Sequence, residues 1–265
     1  MKHRLLLLSA VAMLVMTACE KQMEVYPRCF SVSETKQVIF APGNLMYQPF
    51  SKTYRFASEQ TEMWGNNNNQ ISPTYAGWID LFGWGTGSNP TLTSQVGTDY
   101  ASFDDWGNHL TESGWRTITY EEWNYLLQKR PNANKLYGTC SVTTDNGWTQ
   151  PGMVILPDRW DFSLDSIEVE MTNEYNRHVY STEKWVRMER AGAVFLPACG
   201  NRMGTSVNGA NEYGRYWTSS PAPMGCAFFF GFVRGNQDDG TLRSNGRAVR
   251  LVKDITSPSQ VPAAK

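Results

Sequence analysis

Gly214-Arg-Tyr-Trp-Thr-Ser-Ser220, Ala227-Phe-Phe-Phe-Gly-Phe232 and Asn245-Gly-Arg-Ala-Val-Arg-Leu-Val252 follow Phe195-Leu-Pro-Ala-Cys-Gly-Asn-Arg202 in the last quarter of the chain. Aromatic and β-branched residues dominate these short runs, and such residues fit a pleated, half-buried surface. Side chains alternate across a strand, so Phe228 and Phe230 fall on one face and Phe229 with Gly231 near the other. If one face is core, the opposite face exposes rings, and exposed rings mark a contact surface. The polar run Arg234-Gly-Asn-Gln-Asp-Asp-Gly240 has no packing role of its own. The expectation is a rigid frame holding out an adaptable surface.

Working upstream, residues 204–214 are rich in Asn and Gly and read as a loop, and residues 227–233 and 248–252 read as strands. Val38-Ile-Phe40 is a short β-type run stopped by Ala41-Pro-Gly43, with Tyr54-Arg-Phe56 as a candidate returning strand. Asn66 to Asn69 form a polar loop without the alternating carboxylates that a calcium loop needs. A helix is predicted from Thr119, because its hydroxyl can cap the first turn while Glu122 reaches back to complete a capping box. Trp123, Leu126 and Leu127 then share one face, and Pro131 marks the end. Met153-Val-Ile-Leu156 reads as a buried strand, and residues 181–190 as a second short helix capped by Ser181 or Thr182.

The N-terminus carries Lys2, His3 and Arg4, an apolar stretch from Leu5 to Val15, and then Met16-Thr-Ala-Cys19. A basic start, a short apolar run and small residues before the break describe a cleaved secretory signal over residues 1–18. Cys19 would then be lipidated as the first mature residue, the alternatives being an ordinary signal or an uncleaved anchor. The formal charge of −1 falls by two, to −3, when Lys2 and Arg4 leave with the signal. A nearly neutral surface gives no electrostatic footprint for nucleic acid. Residues 19–28 read as a tether, 29–255 as one domain and 256–265 as a disordered tail, since no linker or charge block divides the interior.

Cys29, Cys140, Cys199 and Cys226 would lie in an oxidising compartment, where three pairings are open. Their spacing matches no zinc pattern, and His109 and His178 have no partner at ligand spacing, so no metal or other cofactor is expected. All 10 tryptophans lie between Trp64 and Trp217. Trp84, Trp115, Trp123 and Trp217 are expected to be structural. No nucleophile elbow, phosphate loop or catalytic histidine pair is present in the sequence, so no catalytic residue is assigned.

Leu196-Pro-Ala ending in Arg202, Tyr216-Trp-Thr-Ser-Ser220 and Gly246-Arg-Ala-Val-Arg-Leu-Val252 together resemble the C-terminal half of C-type-lectin-like domains. The resemblance is to the bacterial branch that includes formylglycine-generating-enzyme-like proteins and variable proteins diversified by retroelements. A looser likeness runs through Phe40-Ala-Pro-Gly-Asn-Leu45, Gly77-Trp-Ile-Asp-Leu-Phe-Gly-Trp-Gly85 and Trp115-Arg-Thr-Ile-Thr-Tyr-Glu-Glu-Trp123, which look like segments of gut-bacterial lipoproteins. It implies an α+β C-type-lectin-like fold: short twisted antiparallel sheets, one or two helices and long loops. It also implies an outer-membrane lipoprotein on the periplasmic or cell-surface side. That protein would bind a protein or glycan ligand on another cell or phage.

Carried over by position, the resemblance makes Tyr216, Trp217, Ser219, Ala227, Phe232, Gly246, Val249 and Arg250 the frame. Met224, Cys226, Phe228, Phe230, Arg234, Asn236, Gln237, Asp238, Asp239 and Arg243 would be displayed for ligand binding, although a cysteine is an odd residue at such a site. The alternative is an ordinary variable loop of a non-diversified relative. Sugar-binding C-type lectins hold calcium through a Glu-Pro-Asn-type loop followed by Trp-Asn-Asp. Trp106-Gly-Asn108 and Asp104-Asp105 do not reproduce that order. The formylglycine-generating branch binds copper through two cysteines, and thiolates suit that metal. Cys199 and Cys226 lie in the corresponding half, but their surroundings do not match the catalytic segment. Recognition without catalysis is therefore the leading expectation. A structural adhesin or pilus-associated subunit and a copper oxidase remain the alternatives.

Overall fold

In the computed structural model, which describes residues 26–164, 174–232 and 240–261, the two ends of the domain meet in one sheet. β1 (Phe30–Ser31) pairs with β2 (Gln37–Phe40), β2 with the last strand, β15 (Leu251–Ile255), and β15 with β5 (Trp115–Thr117), all antiparallel. The expected return of Val38-Ile-Phe40 through Tyr54-Arg-Phe56 does not form. Instead β4 (Thr53–Phe56) pairs with β3 (Leu45–Gln48), and Leu45 reaches the main sheet by donating its N–H to the Val249 carbonyl at 2.9 Å.

A second sheet runs β8-β6-β7-β9, from β6 (Tyr137–Thr143), β7 (Thr149–Ile155), β8 (Val179–Tyr180) and β9 (Val194–Pro197). Its β6–β8 pair is parallel. β10 (Asn201–Met203) and β11 (Ser206–Asn208) make a small hairpin whose second strand lies inside the region expected to be loop. A third sheet contains β12 (Gly214–Ala222), β13 (Cys226–Phe232) and β14 (Thr241–Leu242). The architecture is mixed α+β, with several short, mostly antiparallel sheets and few helices.

α1 (Tyr120–Asn124) begins as the sequence predicts. Thr119 Oγ1 accepts from the Glu122 N–H at 3.1 Å, and Glu122 Oε2 accepts from the Thr119 N–H at 3.0 Å. A π turn, Tyr125–Lys129, continues it up to Arg130 and Pro131. α2 (Thr182–Arg190) is capped by Ser181. The final strand starts three residues later than expected, because Ala248 already makes a bridge to Tyr216 before β15 begins. Pro258–Gln260, within the expected tail, forms a single 3-10 turn closed by Ser257 and Gln260.

Three apolar clusters fill the interior. One joins Phe30, Phe40, Trp123, Met153, Leu196, Phe230 and Phe232; a second joins Ile39, Leu45, Trp84, Trp106, Trp217 and Phe229; a third lies under α2 around Trp160, Trp185 and Phe195. β2 and β13 are each buried on both faces, since their alternate residues enter the first and second clusters. Trp84, Trp115, Trp123 and Trp217 are buried as expected.

Arginines of the two C-terminal motifs clamp these layers from inside. Arg202 Nε donates to the Leu81 carbonyl at 3.1 Å, and Arg250 Nη2 donates to Gln60 Oε1 at 2.9 Å and to the Phe195 carbonyl. Arg247 lies over Phe229 at 3.8 Å from the ring centroid and over Trp217 at 5.1 Å. Burial pulls the Arg202 and Arg250 guanidiniums down to about 10. Oxygen acceptors replace only part of the lost hydration, since Arg250 Nε and Nη1 are buried with no hydrogen-bond partner among the described residues.

Candidate functional site

The β12–β13 hairpin carries the candidate surface. Its strands pair from Gly214↔Phe232 through Trp217↔Phe229, slip over residues 218–220, and pair again at Pro221↔Ala227 and Ala222↔Cys226. Such a bulge locally increases twist and re-aims side chains. Two indole N–H groups anchor the base: Trp217 Nε1 donates to the Phe82 carbonyl at 2.7 Å and Trp84 Nε1 to the Thr218 carbonyl at 2.9 Å. Of the expected frame, Tyr216, Trp217, Ala227, Phe232, Gly246, Val249 and Arg250 are buried and Ser219 is half-buried.

At the tip, Met224 and Gly225 have φ of 55° and 72°, and the Cys226 N–H donates to the Pro223 carbonyl at 3.2 Å. Positive φ at both central residues matches the right-handed twist of the flanking strands. Glycine adopts that conformation freely, but methionine does so at a cost of roughly 1–2 kcal/mol. Met224 is also 95% exposed. Among the described residues, no packing accounts for an apolar side chain there.

The alternation of β13 is as the sequence predicts, yet neither face exposes a row of rings. Phe230 is a correction: it is 4% exposed and belongs to the core, because α1 lies across its face and Trp123 stacks on it at 4.6 Å. Phe229, on the other face, is covered by Arg215 and Arg247. Burial is instead graded along the Phe232 face. Phe232 and Phe230 are buried, Phe228 and Cys226 are half-buried, and Met224 beyond them is in solvent. Phe228 stacks on Tyr120 at 4.6 Å, so one edge of that pair remains available at the surface.

Arg243 is a second correction. Its Nε donates to the Cys226 carbonyl at 2.9 Å, its Nη1 to the Tyr100 and Ala101 carbonyls at 3.2 and 3.1 Å, and its guanidinium covers Trp84 at 4.3 Å. Those bonds tie β13 and β14 to the loop before β5, so the residue is held inward and is not displayed. Arg234, Asn236, Gln237, Asp238 and Asp239 lie outside the described residues, as do Cys19 and the signal. The chain returns at Gly240, where a Cβ would stand 2.6 Å from that of Ala222, so only glycine allows this close approach.

Two residues of the surface were not assigned from sequence. Leu242 pairs with Cys226 across the β13–β14 ladder, which puts both side chains on one face, and it is 56% exposed. The Gly240-Thr-Leu242 run held too few residues to show a strand. Tyr120 was read only as the first residue of a helix, and its pairing with Phe228 depends on how α1 docks.

All four described cysteines are thiols. Cys199 is buried with its Sγ 3.3 Å from Asn44 Nδ2 and 3.7 Å from the Tyr216 hydroxyl. Burial pushes its pKa well up, and pushes the Cys29 thiol up to about 11. Cys226 sits four residues nearer the tip than Phe230, the β13 partner of Tyr216, or roughly 13 Å along the strand. Its Sγ faces the Met224 carbonyl at 3.9 Å. The fold does not bring the two thiols together. His109 pairs with Asp104 at 2.9 Å.

No helix among the described residues is long and apolar enough to cross a membrane. Comparison of the chain with protein-family models, with curated proteins and with solved structures finds no match.

Proposed function

We propose that this chain is a ligand-recognition lipoprotein with a C-type-lectin-like domain, anchored through lipid on Cys19 in the outer membrane. It binds a protein on another cell or phage through the tip of the β12–β13 hairpin, making and breaking no covalent bond. The observation that carries this reading is Met224, an apolar side chain left in solvent on backbone that disfavours it. Strain of that kind collects where a side chain must be presented. Leu242, Cys226 and the Tyr120–Phe228 pair extend the tip into one apolar patch. The sequence 234–239, with Arg, Asn, Gln and Asp, would supply adaptable polar contacts around that anchor.

Placing a photo-crosslinking residue at position 224 of the full-length protein tests the site. Glu183, exposed on α2, serves as the control position. A saturable adduct at 224 and none at 183 is expected, and equal labelling at both positions would refute the site. The anchor is tested separately by metabolic labelling with a palmitate analogue, which Cys19→Ser should abolish.

A further inference from the structure

We propose that Met224 is a modification site: a hydroperoxide oxidises its thioether to the sulfoxide, which switches off the apolar tip of the β12–β13 hairpin while the domain stays folded. The oxidation follows from geometry alone, and its effect on binding rests on the tip being the contact surface.

The described methionines differ in what surrounds their sulfur. Met46, Met153 and Met188 are buried. Met63 is half-buried, and its Sδ accepts from Gln150 Nε2 at 3.5 Å. Met203, at the end of β10, is 51% exposed, and Met224 is 95% exposed. The turn holds Met224 in that position. The Cys226 N–H closes it onto the Pro223 carbonyl, and a Cβ at the adjacent Gly225 would meet no other group of the described residues within 4 Å. An unshielded thioether is open to a reagent in solvent, whereas a buried one reacts only when the domain opens.

The step needs no group from the protein beyond the thioether. A lone pair of the Met224 sulfur attacks the outer oxygen of the hydroperoxide, and the S–O bond forms as the O–O bond breaks. The leaving oxygen takes up a proton and departs as an alcohol or, from hydrogen peroxide, as water. Sulfur loses two electrons and the peroxide gains them. A dithiol reductase reverses the change, its thiols closing to a disulfide as the oxygen leaves in water.

Oxidation replaces an apolar group with a polar one at the outermost point of the hairpin. The sulfoxide carries a strong acceptor oxygen, which resists desolvation against an apolar partner. Leu242, Cys226 and the Tyr120–Phe228 pair then lose the leading member of their patch. Met224 belongs to none of the three apolar clusters, so the added oxygen disturbs no core contact. At Met153, inside the first cluster, the same oxygen would disrupt packing. Exposure is what lets one oxygen act on recognition and leave stability alone.

Treatment of the full-length protein in detergent with hydrogen peroxide tests the inference, with peptide mass spectrometry following each methionine. Met224 should oxidise before Met203, and roughly tenfold or more faster than Met153. The oxidised protein should melt like the untreated parent and elute earlier from a phenyl column, and Met224→Leu should lose that elution shift. As unlabelled competitor in the position-224 crosslinking experiment, the oxidised protein should no longer suppress the adduct. Methionine sulfoxide reductase with dithiothreitol should restore suppression and dithiothreitol alone should not, so that a cysteine is not the cause. The proposal is overturned if Met203 or Met153 oxidises as fast as Met224, if oxidation at Met224 lowers the melting temperature, or if Met224→Leu keeps the elution shift. If the oxidised protein suppresses the adduct while Met224→Gly does not, the switch fails and the contact surface stands. If Met224→Gly suppresses it as well, the contact surface fails and the switch with it.

Discussion

Trp123 on α1 stacks on Phe230 of β13, with ring centroids 4.6 Å apart and planes inclined by 21°. One turn earlier on the helix, Tyr120 stacks in the same way on Phe228, at 4.6 Å and 27°. Two parallel stacks thus fasten the β12–β13 hairpin to the helix, one inside the core and one at the surface.

The two stacks should separate in a stability measurement. Phe230→Ala removes a buried ring and is expected to cost about 3–5 kcal/mol in denaturant unfolding. Phe228→Ala loses a half-exposed stack and should cost nearer 1 kcal/mol. Equal costs would mean that Phe228 is as much a part of the core as Phe230.

Thiol chemistry should single out one cysteine. Cys29, Cys140 and Cys199 are buried, and burial holds the Cys29 and Cys199 thiols protonated at neutral pH. Cys226 is half-buried beside the hairpin turn. An aromatic disulfide reagent added to native protein should modify a single described thiol quickly, and Cys226→Ser should remove that phase. Its persistence in the variant would show that a core thiol opens to solvent.

Asp80 sets a pH signature. Burial pushes its carboxyl up to about 6, against the Trp64 N–H and Asn68 amide that favour the charged form. Because an acid with a raised pKa binds more protons folded than unfolded, its contribution to stability falls as pH rises from about 4 to about 6 and then levels off. The stability of the parent relative to Asp80→Asn should fall across that window by on the order of 3 kcal/mol. Glu122, whose carboxyl is held low and which is not among the groups acting on Asp80, titrates in both proteins and cancels from the difference. A difference independent of pH would show that Asp80 stays charged when folded.

Local signals were the most legible in the sequence. The Thr119/Glu122 capping box, the Ser181 cap, the strand before Pro157 and the alternation of β13 all depend on residues a few positions apart. Burial of Phe230 depends on a helix more than one hundred residues upstream, and periodicity within the strand carries no trace of it. Asn68 was read as part of a polar loop for the same reason. It is buried, its Oδ1 accepting from the Asp80 and Leu81 N–H groups at 2.9 and 3.0 Å, so its polarity serves the interior. Arg243 looked like a surface residue because its partners are backbone carbonyls, which no sequence pattern announces. The Met224 tip was included in the candidate surface, but its left-handed backbone became visible only in the fold.

Competition by Met224→Gly in the position-224 crosslinking experiment tests the central claim most directly. Glycine relieves the left-handed backbone, so the variant should fold at least as stably as the parent, within about 1 kcal/mol. Unlabelled parent protein in excess should suppress the adduct, and Met224→Gly at the same concentration should not. Equal suppression by both proteins would show that the tip side chain makes no contact that matters, and would contradict recognition through the hairpin.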